Sequence, residues 1–441
     1  MKKLLFGFLL ITLLLVSCKN PENNDDGDSR KELILATIHS TQTLQRQVYD
    51  FNKSNSDYYI TLKEYMGSFN RGTSSDELAE MLMDARLRLD ADIVASNRRD
   101  KISPDIIVLS LYEHLRYARK GYFEDLGTYF DGDNYVSVFD AIKLDGKLHG
   151  IFPYFRLDAI LKRNIPDDGD LFDTLVSLQN EAEYSIMGQF SRMGDFSVWM
   201  MFFIDEFIDW ENGECEFNNP RFKKIVEMLK DRPDISYPDS FDDFSIMFEE
   251  MREAMKDNPF FIPVPITNIY ALQGWMNIHG KDAVYTSFPG NENMLAVYID
   301  EVYAIPKNSK NKGVAWEFIN GLIDEEYQMK NTREIPWFPG IPVLWEAVEF
   351  MIANSQNESN TVLEWWQWIG DQRHEVSFVE PGLPEVFRSL LEKEFWIFKG
   401  GGMTSQIIME EIEYYFNDVK TLERVIEILN NRMGLYLKEN M

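Results

Sequence analysis

Short apolar runs alternate with stretches of helical periodicity from Leu33 onward. LILATI (33–38) is bounded by charge and by His39-Ser40-Thr41, the pattern of a buried strand ending in a turn. From Thr43 to Asn52, Leu44, Val48 and Phe51 recur at helical spacing, with Ser40 or Thr41 available as the cap. YYITLKEY (58–65) sets Ile60 and Leu62 on one face of a second strand. Asp76 to Leu89 gathers Leu78, Met81, Leu82, Ala85 and Leu89 on one helical stripe, and PDIIVL (104–109) reads as a third, buried strand. Strand-helix-strand-helix-strand predicts a parallel sheet with helices on both faces. Ligands of such sheets sit beyond the carboxyl ends of the strands, which marks the loops after Ile38 and Leu109. Further on, MLAVYIDEVYAI (294–305) reads as a strand-like stretch, and Lys312 to Ile323 as a helix with Ala315, Phe318, Ile319 and Leu322 on one face. From Met403 the chain predicts two helices, the last striped by Leu422, Val425, Ile426, Leu429, Met433 and Tyr436.

The N-terminus carries a different pattern. Lys2 and Lys3 precede an apolar run from Leu4 to Val16, too short to span a bilayer comfortably and of the right length for an export signal. The run ends on Leu15-Val16-Ser17-Cys18, which resembles the lipobox of bacterial lipoproteins. That resemblance implies a signal peptide over 1–17 and acylation of Cys18 as the new N-terminus. Several acyl chains, each worth about 0.8 kcal/mol per buried methylene, would hold the protein durably on a membrane. KNPENNDDGDSRK (19–31) has no large apolar residue, so residues 18–32 are expected to form a flexible tether.

Composition narrows the class. A chain of 441 residues with 45% hydrophobic and 14% aromatic content exceeds what one core usually serves, so two lobes are expected. The formal charge of −29 creates a field that repels phosphate backbones and argues against nucleic acid as a partner. Cys18 and Cys215 are the two cysteines, which excludes a disulfide framework and a thiolate-built zinc site.

Five passages, in order, carry a family resemblance. PDIIVLSLYEHLRYARKGYFEDL (104–126), LDGKLHGIFPYF (144–155), DWENGECEFNNPRF (209–222), AIPKNSKNKGVAWEFINGLIDEEYQ (304–328) and IEILNNRMGLYLKEN (426–440) resemble the ABC-transporter extracellular solute-binding proteins, family 1, of the carbohydrate type. The resemblance covers nearly the whole chain after Cys18, and 304–328 is its most specific piece. It implies an α/β fold of two lobes, periplasmic-binding-protein-like (type II), with parallel-rich sheets flanked by helices and a hinge of crossing strands. Lobe 1 is placed at 33–150 plus 298–327, and lobe 2 at 151–297 plus 328–441. The implied function is a monomeric, lipid-anchored extracytoplasmic receptor of an ABC importer, at the cell surface or periplasmic face. It would capture a sugar or oligosaccharide and deliver it to membrane permease subunits, without a cofactor.

Sugar recognition needs aromatic faces for pyranose rings and planar polar groups for hydroxyls. In lobe 1 the family's ligand loops fall on His39-Ser40-Thr41 and Leu111-Tyr112-Glu113-His114, which makes Ser40, Tyr112 and Glu113 candidates. Tyr154 and Arg156 follow the passage that approaches the hinge, where an arginine could fork onto vicinal hydroxyls or an acid. In lobe 2, QFSRMGDFSVW (189–199) and TNIYALQGW (267–275) resemble cleft-facing segments, giving Trp199, Tyr270 and Trp275 as stacking candidates, with Trp345 as another. Each aromatic competes with a place in the core, and the indoles of EWWQWI (364–369) cannot share one face of a strand or helix.

An enzyme finds little support. The five histidines are scattered and form no His-Glu-x-x-His pattern, no Gly-x-Ser-x-Gly elbow occurs, and Gly400-Gly401-Gly402 lacks the lysine of a phosphate loop. Cys215 stands among acidic residues that raise a thiol pKa. A ligand-sensing or adhesive surface lipoprotein, or a lipid-anchored glycoside hydrolase, remain the alternatives to a transport receptor.

Overall fold

A computed structural model describes residues 29–67, 75–95, 104–166, 169–232, 241–289, 294–334, 340–357, 359, 365–369 and 372–440. Cys18, the export signal and most of the tether lie outside the described residues. The chain opens with β1 (Lys31–Thr37), α1 (Gln42–Ser54), β2 (Tyr58–Glu64), α2 (Ser75–Ala95), β3 (Ile106–Leu109) and α3 (Leu111–Arg119). After a long crossing it runs through β4 (Tyr154–Arg163), α4 (Leu171–Glu181), α5 (Arg192–Phe203), β5 (Ile208–Asp209), β6 (Glu214–Cys215), α6 (Pro220–Lys230) and α7 (Phe241–Met255). β7 (Phe260–Ile266), α8 (Ile269–His279), β8 (Val284–Thr286) and β9 (Met294–Tyr298) follow, then β10 (Val302–Ala304), α9 (Lys312–Asn320) and α10 (Glu325–Glu334). The rest comprises β11 (Ile341–Pro342), α11 (Trp345–Ser355), β12 (Trp365–Ile369), β13 (Gln372–Val376), α12 (Leu383–Leu391), β14 (Glu394–Ile397), α13 (Met403–Phe416) and α14 (Leu422–Asn440).

The strands sort into two main sheets, one in each lobe. In the first, ordered β10-β3-β1-β2, β1 runs parallel to both β2 and β3. All four residues of β3 are buried, as a strand covered on both faces requires. Thr41 caps α1, its hydroxyl accepting from the Leu44 amide at 3.0 Å, and Leu44 and Val48 pack inward. The second sheet is built around β4, which pairs antiparallel with β7, β8, β9 and β11, while β14 runs parallel to β9. The parallel character expected of both sheets is thus concentrated in the first. A strand as long as β4 offers both edges to hairpin-like neighbours, and its Leu157, Ala159, Ile160 and Leu161 are wholly buried among them.

The stretch 294–305 is two strands rather than one. β9 pairs with β4 in the second sheet, Arg156 opposite Tyr298, and β10 pairs with β3 in the first, Val302 opposite Leu109. Ile299, Asp300 and Glu301 carry the chain from one sheet to the other. Beside them, Ile151 bridges to Tyr303, so two antiparallel segments cross between the sheets side by side. That pair of crossings is the hinge. A rotation about it would leave the hydrogen bonds of both sheets intact.

Candidate functional site

A cavity of about 440 Å3 opens at the carboxyl ends of β1 and β3, against the hinge. Thr37, His39 and Thr41 line it from the end of β1, Ser110 and Glu113 from the start of α3, and Tyr154, Arg156, Tyr298, Asp300 and Glu301 from the crossing segments. Its volume falls within the roughly 300–1,000 Å3 of small-molecule sites. The location follows from the parallel sheet, whose strands deliver their following loops to one edge.

The hinge wall carries a connected set of contacts. Tyr154 and Arg156 stand two residues apart on β4 and so share a face. The Arg156 guanidinium lies 3.8 Å from the centroid of the Tyr298 ring, its cross-strand partner, and 3.5 Å from Asp158. Burial raises the Asp158 carboxyl, and Arg156 pulls it back down. Glu301 accepts from Thr41 at 2.7 Å and from the Tyr303 hydroxyl at 2.9 Å, while burial pushes its pKa up. Behind it the Tyr303 hydroxyl meets Gln47 at 2.6 Å, and Gln47 donates to Tyr327 at 2.8 Å. Tyr154 stacks on that same Tyr327, with ring centroids 6.4 Å apart. The network fixes the wall before a ligand arrives, which lowers the ordering cost of binding.

A wider groove of about 1,140 Å3 runs beside the pocket. Its first-lobe wall comes from α2, α3 and the turn Asp140–Leu144, its second-lobe wall from Trp210, β14, Lys399 to Thr404, Ile407 and the end of α14. Arg86 and Glu113 line both cavities. The lobes touch at Tyr112 of α3, whose ring lies on Gly401 and Gly402; a Cβ at Gly401 would overlap it. Burial raises the Tyr112 phenol, with Tyr298 and Asp158 adding to the effect.

Of the candidates named from sequence, Glu113, Tyr154 and Arg156 line the pocket, Tyr112 and Glu113 line the groove, and Ser40 sits just behind. The Ser40 hydroxyl is buried, donating to Glu64 and accepting from Gln45 at 2.7 Å, so it braces the turn after β1. Glu113 is held by Arg86 at 3.3 Å and Arg116 at 3.2 Å. The second-lobe candidates lie elsewhere. Trp199 is fully buried, stacked on Phe203 at 5.7 Å and edge-on to Phe172 at 6.0 Å, and Tyr270 is fully buried as well. Half-buried Trp275 donates to the Pro265 carbonyl at 2.8 Å and stacks on His279, while Trp345 packs on the core at the start of α11. The side chains of β12, with its three indoles, lie outside the described residues.

The aromatic residues that the second lobe does bring to the groove are Trp210, Phe395, Trp396 and Tyr436. One signal pointed to Trp396. It stands in a short strand followed by Gly400-Gly401-Gly402, a run without Cβ atoms that admits another chain segment closely.

Among the described residues no group of three or more His, Cys, Asp or Glu could hold a metal ion, and no helix is long and apolar enough to cross a membrane. The half-buried Cys215 thiol, raised by burial and by Glu216, points at the Asn430 carbonyl 3.6 Å away, a poor setting for a nucleophile.

No protein-family model matches the chain, and no curated protein matches it. Solved structures do. An ABC substrate-binding protein from Listeria monocytogenes, in complex with cycloalternan, superposes with a TM-score of 0.52 at 13% identity, over 93% of this chain and 99% of that one. The sugar-binding protein MalE from Xanthomonas citri gives 0.53 at 14%, over 93% and 98%. Maltose-bound MalE3 of T. maritima gives 0.50 at 14%, over 92% and 99%. At such identities the likeness is one of architecture, and it extends over nearly the whole of each chain. The protein has the two-lobed fold of the periplasmic-type solute-binding proteins.

Proposed function

We propose that this chain is the solute receptor of an ABC importer and captures a sugar or oligosaccharide between its lobes. One observation carries the reading: Arg156, laid on Tyr298 at the hinge, faces a pocket that also presents Tyr154, Glu113, Glu301 and Thr41. Aromatic faces beside fixed planar donors and acceptors suit a molecule with CH patches and a rim of hydroxyls. The bound sugars in the solved structures above agree with that chemistry. The first lobe comprises 33–150 with 298–327, and the second 151–297 with 328–441.

The work done is binding and closure rather than bond breaking. A ligand closes the lobes only by its greater affinity for the closed form, so groups reaching it from both sides set specificity. The closed receptor then docks on permease subunits. Acylated Cys18 and the polar tether keep it near them and raise its local concentration. Mass spectrometry of the mature protein should find a lipid-modified N-terminal Cys18, and Cys18→Ala should release the protein from the membrane fraction.

Thermal shift of the full chain against sugars, amino acids and peptides tests the reading. A carbohydrate should raise the melting temperature and be recovered unchanged after long incubation. Stabilisation by amino acids or peptides alone, or breakdown of the sugar, would overturn it.

A further inference from the structure

The groove beside the pocket inverts the charge balance of the chain. Acidic residues outnumber basic ones 73 to 44 over the sequence, yet the groove is lined by seven basic and five acidic residues. Four of those cations already have partners: Arg86 with Glu113, Arg116 with Asp90 and Glu113, Lys143 with Asp140, and Arg432 with Glu410 and Glu411. Arg119, Lys120 and Lys399 line the same groove, are exposed, and have no carboxylate partner among the described residues. They stand on opposite walls, two at the end of α3 and one just after β14.

Aromatic rings share the lining. Trp396 is half-buried and its indole N–H has no hydrogen-bond partner among the described residues, while Trp210 and Tyr436 lie in the same groove. Rings for pyranose faces and unpaired cations on both walls suit a sugar that carries carboxylates, whose planar geometry matches a guanidinium fork. The acidic excess elsewhere does not cancel this, because salt screens charges beyond about 10 Å at 0.1 M ionic strength. Length fits too. The groove, at about 1,140 Å3, has more than twice the volume of the 440 Å3 pocket, and Arg86 and Glu113 join the two.

We propose that the ligand is an acidic oligosaccharide, seated in the pocket at one end, with uronate carboxylates in the groove between Arg119 and Lys120 on one side and Lys399 on the other. The proposal rests on the carbohydrate-receptor reading and adds the charge class and length of the ligand. An anion held from both walls strengthens only as the lobes approach, so it also favours closure.

Titration calorimetry of the full chain with hexamers of galacturonate and of mannuronate, each as free acid and as methyl ester, isolates the charge on a fixed backbone. One of the free acids should bind at least about tenfold tighter than its ester, a preference equal to one strong charge-assisted contact. The preference should shrink at high salt. The double variant Arg119→Gln, Lys399→Gln should lose it while keeping the ester's affinity, and Lys310→Gln, exposed and outside the groove, should change neither. Esters binding as tightly as the acids, or a preference that survives the double variant, would overturn the proposal while the carbohydrate reading stands. If no acid and no ester binds but neutral sugars still stabilise the chain, the proposal alone fails; if no sugar of any kind binds, both fail.

Discussion

The two walls of the cleft are made in different ways. On the first-lobe side the lining residues sit where strands end, Thr37 and His39 after β1 and Ser110 and Glu113 after β3, while Tyr154 and Arg156 stand at the start of β4 where the chain leaves the hinge for the second sheet. On the second-lobe side they come from a glycine run after β14, from Trp210 between α5 and α6, and from the last turns of α14. The first wall is fixed by backbone hydrogen bonding, since a parallel sheet delivers its loops to one edge whatever their sequence. The second is fixed by how helices pack, which depends on side chains far apart in the chain. One wall can thus be located from topology, and the other only from the packed molecule.

Several substitutions would sharpen that contrast. The largest effect is expected at Trp199, which belongs to the second-lobe core: Trp199→Ala should cost about 3–5 kcal/mol in chemical denaturation. The folded fraction should keep its ligand affinity. A loss of affinity without a loss of stability would return Trp199 to the cleft. Next comes the contact between walls. Gly401→Ala should weaken ligand binding by about 1–2 kcal/mol, because its Cβ overlaps Tyr112 when the lobes touch. Tyr112→Ala in the same chain should restore part of that loss. Strict additivity in the double-mutant cycle would show that the two residues do not meet in the ligand-bound form.

A third test separates the faces of α3. Tyr112 and Glu113 reach the cavities, whereas His114 is fully buried, stacked on Phe123 at 5.2 Å, with burial and His149 lowering its pKa to about 3. Buried His279 of α8 is lowered to about 4, by burial first and then by Arg163 and Arg252. Both are depressed below the unfolded value near 6.5, so the folded chain binds fewer protons. The stability they contribute is complete above pH 6.5 and is lost as pH falls through that value toward 4. Each can contribute on the order of 1 kcal/mol per pH unit in that window. His114→Leu should flatten the dependence of melting temperature on pH below 6.5, and an unchanged slope would contradict its burial as a neutral ring. The smallest effect is expected at Tyr270, whose buried hydroxyl has no hydrogen-bond partner among the described residues. Tyr270→Phe should change stability by less than about 0.5 kcal/mol and leave affinity alone, since no bond is lost.

Much of the fold was legible because the pattern and the physics agree. β1, α1, β2, α2 and β3 fall where apolar spacing puts them, and Thr41 caps α1 as its hydroxyl allows. The stretch 294–305 kept its strand character but concealed a change of sheet, because Asp300 and Glu301 look like an ordinary polar step within one strand. In the site, Tyr112 and Glu113 follow the end of a strand, and Tyr154 and Arg156 follow the passage that resembles the family's approach to the hinge. Trp199 and Tyr270 were singled out as rings in segments that resemble cleft-facing ones, and neither residue type nor so loose a resemblance separates a ring in a core from a ring in a cleft. Trp210, Trp396 and Tyr436 carry no local mark beyond the glycines after Trp396. Their convergence on one groove is a product of helix packing over some two hundred residues of chain.

Ligand binding is expected to depend most on the hinge wall, where Arg156 lies across Tyr298 and faces the pocket. Titration calorimetry should be run with the carbohydrate that most stabilises the full chain, comparing the wild type with Arg156→Ala. Binding of one ligand per chain should weaken at least about tenfold in the variant, a loss of about 1.4 kcal/mol or more, with the melting temperature of the unliganded protein changed little. Equal affinity in the two proteins would mean that the pocket at the hinge is not where the solute is held.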